Sequence, residues 1–185
     1  MKTKGTNWIA MKDYLHKTFT AEQLKTLNEA LDDESKRLFN DRTILQVSWV
    51  DYSVYMKILI VADRILGNGD LELLRKANYY CARRDISGVY RFLVSLVSPK
   101  TVINALGKLL ARYYDRGTLT VEDLKSNSAT IIIEDAPDIP LYHDAEMAAY
   151  VGETLRMAGA KNPKFAHIEC MALGDPRCRF KVTWD

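Results

Sequence analysis

The sequence predicts an α+β fold in which N-terminal helices pack on a four-stranded antiparallel sheet. Up to about residue 116 the apolar residues recur at helical spacing, and helix-start signals precede several of these stretches. After Gly117 two pairs of β-rich segments flank one further helix, which gives the order β-β-α-β-β. Neither half has an obvious complete core of its own, so we expect residues 1–185 to form one domain.

The composition and net charge of the chain limit the classes of protein to which it can belong. The chain has 185 residues, of which 48% are hydrophobic and 27% charged, a balance that suits a compact core. The net charge of +2 predicts no general attraction to nucleic acid or to an anionic membrane, and neither is expected as a partner. The N-terminus lacks an apolar signal segment, and Ile58–Ala62 is too short to span a bilayer. With only three cysteines, we expect a cytoplasmic protein with reduced thiols.

Helices in the first part begin after residues whose side chains can accept hydrogen bonds from free amides at a helix start. One of them, Tyr52–Leu66, is apolar on most faces and should be buried. The pair Ser98-Pro99 combines a cap with a first-turn proline. The predicted caps of the five helices are Thr20, Asp51, Asp70, Ser87 and Ser98.

The second part contains two predicted hairpins with a helix between them. Thr118–Val121 and Thr130–Ile133 form the first pair of strands, and a helix follows over about Leu141–Ala158. The second pair is Lys164–Leu173 and Cys178–Trp184, joined by a tight turn at residues 174–177.

The last hairpin carries a candidate metal site. Cys170 and Cys178 face each other across the predicted turn, and His167 precedes them on the same strand. Thiolates and an imidazole suit zinc, and His143 is the nearest further histidine. Asp144 and Glu169 are oxygen alternatives. The other interpretation is that both cysteines are small, inert apolar residues.

The segment Glu169–Phe180 reads Glu-Cys-Met-Ala-Leu-Gly-Asp-Pro-Arg-Cys-Arg-Phe. It resembles the closing motif of the 4-vinyl-reductase-type small-molecule-binding domain. The matching positions are Cys170, Gly174, Asp175, Cys178 and Phe180. Residues 85–185 match that family best, whereas residues 1–84 share only its general helical layout.

This resemblance implies a ligand-binding fold shared with haem-nitric-oxide-binding domains and vesicle-tethering subunits, often dimeric through its helices. Members include sensors of phenol and toluene and accessory proteins of bacteriochlorophyll synthesis. The resemblance also implies a zinc site of the kind found in the aromatic sensors. Its ligands there are the two motif cysteines, an acidic residue three positions before the first of them, and a further cysteine upstream. Here His167 stands at the position of the acid, and His143 and Asp144 stand where the upstream cysteine would be.

Aromatic and apolar residues of the helices are candidates for lining a ligand pocket, although such stripes also form ordinary cores. The three histidines, His16, His143 and His167, argue against haem, because none falls on a predicted helix beside an apolar space. The pocket candidates are Tyr52, Tyr55, Met56, Leu59, Tyr79, Tyr80, Cys81, Phe92 and Tyr113.

The sequence therefore predicts a sensor or carrier for a small apolar or aromatic molecule, with zinc in a structural role. We expect a homodimer that passes its signal to a protein partner. One alternative is a dimerising interaction module without a ligand. Another is an accessory protein of reductive tetrapyrrole or aromatic metabolism. No known catalytic motif stands out, so enzymatic activity is left open.

Overall fold

A computed structural model describes residues 1–136 and 144–185. It confirms the predicted α+β class, with helices and a four-stranded antiparallel sheet. Within these residues, no helix has both the length and the apolar character needed to span a membrane. The helices are α1 (Gly5–Thr18), α2 (Ala21–Ala30), α3 (Asp33–Asn40), α4 (Tyr52–Leu66), α5 (Glu72–Asp85), α6 (Gly88–Ser95), α7 (Pro99–Tyr113) and α8 (Met147–Met157).

Three predicted caps form as the residue types suggest. Thr20 and Gln23 make a reciprocal capping box at the start of α2. The Asp51 carboxylate accepts hydrogen bonds from two amides of the first turn of α4, and the Ser98 hydroxyl accepts one from Thr101 at the start of α7. Because these hydrogen bonds form between residues that are close in the sequence, the starts of these helices can be predicted from the sequence.

The start of α5 differs from the prediction. The helix begins at Glu72 rather than directly after Asp70, because Leu71 adopts a left-handed conformation with φ +64°. The buried Asp63 carboxylate of α4 accepts hydrogen bonds from the amides of Leu71 and Leu73, at 2.9 and 3.1 Å. A carboxylate from the preceding helix thus satisfies two amides at this helix start, while Asp70 accepts a hydrogen bond from the Glu72 amide at 3.0 Å.

The main sheet has four strands, β3 (Thr118–Glu122), β4 (Ser128–Glu134), β5 (Lys164–Glu169) and β6 (Cys178–Thr183), in the spatial order β3-β4-β6-β5. All neighbours are antiparallel, and Ile133 of β4 lies opposite Cys178 of β6. A second, unpredicted sheet pairs β1 (Lys2–Lys4) with β2 (Trp49–Asp51). It joins the N-terminus to the residues just before α4.

Two predicted boundaries in the C-terminal part need correction. The strand predicted over Lys164–Leu173 ends at Glu169, because the register with β6 shifts between His167 and Glu169, and Met171–Leu173 form a 3₁₀ turn. In the helix predicted over Leu141–Ala158, residues 137–143 lie outside the described residues. Residues 144–146 form a turn, and α8 starts at Met147.

The helices and the sheet meet at close range. α7 crosses β3 at Gly107, where an added Cβ would lie 2.6 Å from the Leu119 carbonyl oxygen, so that only glycine allows this approach. In the middle of the sheet, Ile131 of β4 lies opposite Phe180 of β6, and both side chains are fully buried. α8 packs against α5 and lies next to β5 at Gly152.

Candidate functional site

Ionisable side chains from four helical regions meet in the interior of the helical part. We call this group the tyrosine–carboxylate cluster, and it draws on α4, α5, the end of α7 and the start of α8. Buried ionisable groups with shifted pKa values are a common mark of binding and catalytic sites. Its members are Tyr52, Tyr55, Cys81, Asp85, Tyr113, Tyr114, Glu146 and Tyr150.

Glu146 is the centre of one half of the cluster. Its side chain is buried, and its carboxylate accepts hydrogen bonds from the hydroxyls of Tyr52 and Tyr114, the latter at 3.2 Å. Burial raises the pKa of Glu146 to about 6, although the two phenolic hydrogen bonds act in the opposite direction. The Tyr52 and Tyr114 rings meet edge to face with centroids 5.7 Å apart. The Glu146 carboxyl group, which can bind a proton near neutral pH, is therefore in contact with two aromatic residues.

Asp85 is the centre of the other half. The Tyr150 hydroxyl donates to Asp85 Oδ2 at 3.2 Å, and burial raises the pKa of Asp85. Burial, followed by the charge of Asp85, raises the pKa of Cys81 to about 12. The same two causes raise the pKa of Tyr113. The cluster thus favours neutral, protonated groups that can donate hydrogen bonds to a ligand.

The predicted pocket residues divide among several places. Tyr52, Tyr55, Cys81 and Tyr113 belong to the cluster, while Met56 and Leu59 are buried in the adjoining core of α4. The remaining three candidates lie elsewhere. Tyr80 donates a hydrogen bond to Asp13, Tyr79 lies near Arg156, and Phe92 is 63% exposed on α6.

Sequence reasoning missed Asp85, Glu146 and Tyr150. Asp85 falls at a helix end beside two arginines, and such residues are usually solvated. One signal was available, because Glu146 lies within an otherwise apolar stretch, Ala145–Val151.

The last hairpin brings together a second group, the thiol–imidazole cluster, formed by His167, Cys170 and Cys178. Their potential metal-binding atoms all lie within 4.8 Å of one another, and both cysteines are buried. The Asp175 carboxylate accepts a hydrogen bond from the Cys170 amide at 2.7 Å, and the Met171 amide donates to Cys178 Sγ at 3.3 Å. These bonds hold the turn that places the two thiols side by side.

The imidazole is positioned by the same hairpin. The His167 ring stacks on Phe180 of β6, with centroids 4.0 Å apart and an interplanar angle of 16°. Its Nδ1 lies 3.8 Å from Asp144 Oδ1, just before α8. Burial raises the pKa of Cys178 to about 11 in the metal-free protein. His143, the fourth predicted ligand, lies outside the described residues.

The chemistry of this donor set fits zinc. Zinc bonds to sulfur at about 2.3 Å and to imidazole nitrogen at about 2.0–2.1 Å, so ligand atoms around one ion lie a few ångströms apart. The separations in the thiol–imidazole cluster meet this condition. A neighbouring carboxylate such as Asp144 is a common further ligand or a partner that orients the histidine.

Solved structures with the same fold are H-NOX proteins. The Fe(II) unliganded H-NOX protein from K. algicida is 14% identical, with 98% of this chain and 96% of that one covered and a TM-score of 0.73. The S. oneidensis H-NOX protein in the Fe(II)NO state is 12% identical, with coverage of 98% and 99% and a TM-score of 0.71. A comparison with protein-family models finds no match, and neither does a comparison with curated proteins. This chain therefore shares the fold of these H-NOX structures, in agreement with the α+β class that the sequence predicts.

The prediction about haem is wrong at the level of the fold. A third structure, from a study of haem redox potential and porphyrin distortion, is 10% identical over 98% of this chain and 95% of its own, with a TM-score of 0.66. The positions of the histidines in the sequence were a poor guide, because haem iron is also held by thiolate, thioether or phenolate.

The described residues of this chain do not form a histidine-ligated haem site. His16 is exposed on α1, and His167 belongs to the thiol–imidazole cluster. The phenols of Tyr52 and Tyr114 already donate to Glu146.

Proposed function

We propose that this protein is a small-molecule sensor or carrier whose ligand contacts the tyrosine–carboxylate cluster. The observation that carries this proposal is the burial of Glu146 among phenols from separate helices, with the partly buried Asp85 hydrogen-bonded to Tyr150 nearby. Burying carboxyl groups is costly, and a fold tolerates that cost most readily where the groups serve a site. The shared fold with H-NOX proteins supports a ligand-binding role.

The ligand we infer is small and largely apolar, with one or two polar atoms. Aromatic rings of Tyr52, Tyr55 and Tyr113 would contact its apolar part. Hydroxyl and protonated carboxyl groups would donate to its polar atoms. A phenol or a related aromatic compound meets this description, in agreement with the resemblance to sensors of aromatic compounds.

We propose that α6 moves to let the ligand reach this site. None of its residues is buried, although Val89, Tyr90, Phe92 and Leu93 are large and apolar. Since the helix buries so little, its displacement costs little free energy. Closing over an apolar ligand would cover these side chains and transmit binding to the neighbouring α8.

Zinc is proposed as a structural ion in the thiol–imidazole cluster, bound by His167, Cys170 and Cys178. Asp144 is the proposed fourth ligand, because its carboxylate already lies next to His167. The ion would tie the last hairpin to the segment that leads into α8. It would supply binding free energy to folding and would take no part in a reaction.

The ligand proposal is tested with purified protein and three probes, namely phenol, toluene and haem. We expect saturable binding of phenol or toluene by calorimetry, and weaker binding by Tyr150→Phe. Lys25→Gln, a change on the exposed surface of α2, is the matched control. Native mass spectrometry of protein as isolated identifies a retained ligand. Absence of any binding, or a haem absorption band as the only signal, would overturn the aromatic-ligand proposal.

The zinc proposal is tested by elemental analysis of protein prepared without added zinc. We expect one zinc per chain in the wild type and loss of the metal in both Cys170→Ser and Cys178→Ser. Cys81→Ser is the matched control, because Cys81 is also buried but lies in α5. Retention of zinc in the two hairpin variants would refute the site.

A second candidate function is a dimerising interaction module. The exposed apolar residues of α6 favour it, because patches of this kind often mark protein interfaces. Light scattering of the wild type and Phe92→Ser separates the two functions. A dimer that the substitution dissociates, in a protein that binds none of the probes, would favour the module.

A further inference from the structure

A surface hollow of about 270 Å³ lies between α1 and the segment that follows α3, and no member of either cluster lines it. One wall is apolar and is formed by Trp8, Ile9 and Ile44. The other wall carries charged and polar side chains. These are Lys12, Asp13, His16, Asp41 and Arg42.

Trp8, one of the residues that line this hollow, carries a buried hydrogen-bond donor. Its side chain is 1% exposed, and its indole Nε1–H has no hydrogen-bond partner in the described part of the chain. Buried N–H groups nearly always have an acceptor, from protein, water or ligand. An oxygen atom of a bound ligand could accept the hydrogen bond from this N–H.

Two cations of the hollow also lack a carboxylate partner. Across residues 1–136 and 144–185, neither Lys12 nor Arg42 forms an ion pair within 4.0 Å. Lys12 Nζ donates to the Asp41 carbonyl oxygen at 3.4 Å and lies 5.9 Å from the Trp8 ring centroid. Burial, followed by the charge of Arg42, lowers the pKa of Lys12, while the charge of Asp41 partly offsets this.

The two acids of the hollow are engaged with other groups. The Asp13 carboxylate accepts from the Tyr80 hydroxyl and from Lys17 Nζ, and also lies 3.6 Å from Arg84. The Asp41 carboxylate accepts from the amide and the hydroxyl of Thr43, both at 2.7 Å. Within the described residues, the hollow thus holds two cations without a carboxylate partner and one N–H donor without an acceptor, together with three apolar side chains.

We propose that this hollow binds a small organic anion, with its carboxylate or phosphate group between Lys12 and Arg42 and its apolar part against Trp8. Guanidinium binds such oxyanions through paired hydrogen bonds, and the ammonium adds a second charge. The volume lies near the lower limit of ligand pockets, which restricts the ligand to a single ring or a short chain. This site differs in charge preference from the tyrosine–carboxylate cluster, whose named members include carboxyl groups and no cationic side chain.

The test follows the indole N–H signal of Trp8 in ¹H–¹⁵N spectra during titration with benzoate, phenyl phosphate and neutral benzyl alcohol. Trp8→Phe assigns the signal, and the Trp184 indole is the internal reference. We expect a saturable shift with benzoate, phenyl phosphate or both, and none with benzyl alcohol. The stronger of the two anions distinguishes a carboxylate site from a phosphate site.

Charge variants separate specific binding from general attraction. We expect Lys12→Met and Arg42→Gln each to weaken anion binding about tenfold or more, as the loss of a charge-assisted hydrogen bond predicts. Lys25→Gln, which removes the same charge from α2, should leave the affinity unchanged. An unshifted Trp8 signal with both anions, an equal response to benzyl alcohol, or equal weakening by Lys25→Gln would overturn the proposal.

Discussion

The thiol–imidazole cluster and the tyrosine–carboxylate cluster both gather ionisable groups, but they are built in opposite ways. The first lies within residues 167–178 of one hairpin and is held by bonds of that hairpin's own turn. The second combines groups such as Tyr52 and Glu146, which lie 94 positions apart in the chain. The hairpin offers soft donors to a metal, whereas the helical interior offers protons and aromatic surface to an organic molecule.

This difference assigns distinct physical roles to the two regions. A metal at the hairpin would stabilise the protein through groups that do not themselves contact the ligand. Protonation in the helical interior would change both stability and the ligand site, since Glu146 and Asp85 carry shifted pKa values. The comparison is open to tests that act on one region at a time.

Metal removal should give the largest effect. Free zinc at about a thousandfold above its Kd stabilises a folded protein by about 4 kcal/mol. We therefore expect chelation to lower the free energy of unfolding of the wild type by that order. Denaturant unfolding with and without zinc measures the change.

The zinc-dependent increment, rather than the absolute stability, is the informative quantity. It should vanish in Cys178→Ser and persist in Cys81→Ser, even if the latter is less stable overall. A zinc increment that survives the hairpin substitution would show that the metal binds elsewhere.

Protonation of Glu146 should give the next largest effect. Its pKa is raised from an ordinary value of 4.5 to about 6, so the folded state holds the proton more tightly than the unfolded state. This contribution to stability is fully present below 4.5 and is lost as the pH rises through about 6. The shift corresponds to about 2 kcal/mol, at 1.36 kcal/mol per pKa unit.

Unfolding of the wild type and Glu146→Gln from about pH 4 to about pH 8 measures this contribution. Glutamine keeps a hydrogen-bonding side chain and does not titrate, so the difference in stability between the two proteins should change across this range. Both proteins are compared at the same zinc loading, because metal binding also depends on pH. A difference that stays constant with pH would contradict the buried-carboxylate interpretation.

The closeness of His167, Cys170 and Cys178 could be inferred from the sequence because it depends on nearby residues, whereas their role as metal ligands stays a prediction. A tight turn at residues 174–177 suffices to bring Cys170 and Cys178 together. The order of the strands along the chain and the capped starts of α2, α4 and α7 could be predicted because they also depend on residues close in the sequence. The haem prediction failed because histidine positions on predicted helices carry little information about a cofactor in the fold.

The tyrosine–carboxylate cluster could not be predicted, because it depends on how helices far apart in the chain pack. Nothing near Asp85 in the sequence distinguishes it from a solvated acid at a helix end. Asp63 gives a parallel case, since it caps α5 from within α4. Side chains that act across elements become visible only when the packing is known.

Loss of one cluster hydrogen bond should have a smaller effect. Tyr150→Phe removes the hydroxyl that donates to Asp85, and we expect a loss of about 1 kcal/mol, typical of one buried hydrogen bond. Tyr113→Phe is a control, because no hydrogen bond of its hydroxyl occurs among the described residues. Equal losses in both variants, measured by denaturant unfolding, would indicate general packing rather than a specific bond.

Substitution on α6 should have the smallest effect on the ligand-free protein. Phe92 is 63% exposed, so Phe92→Ser should change the free energy of unfolding by less than about 0.5 kcal/mol. Leu106→Ser on α7 is the contrasting variant, because Leu106 is buried and its replacement should cost several times more. With phenol or toluene bound, Phe92→Ser should lose part of the ligand-induced stabilisation if α6 covers the ligand. A large loss without ligand would instead show that α6 packs firmly in solution and does not open to admit one.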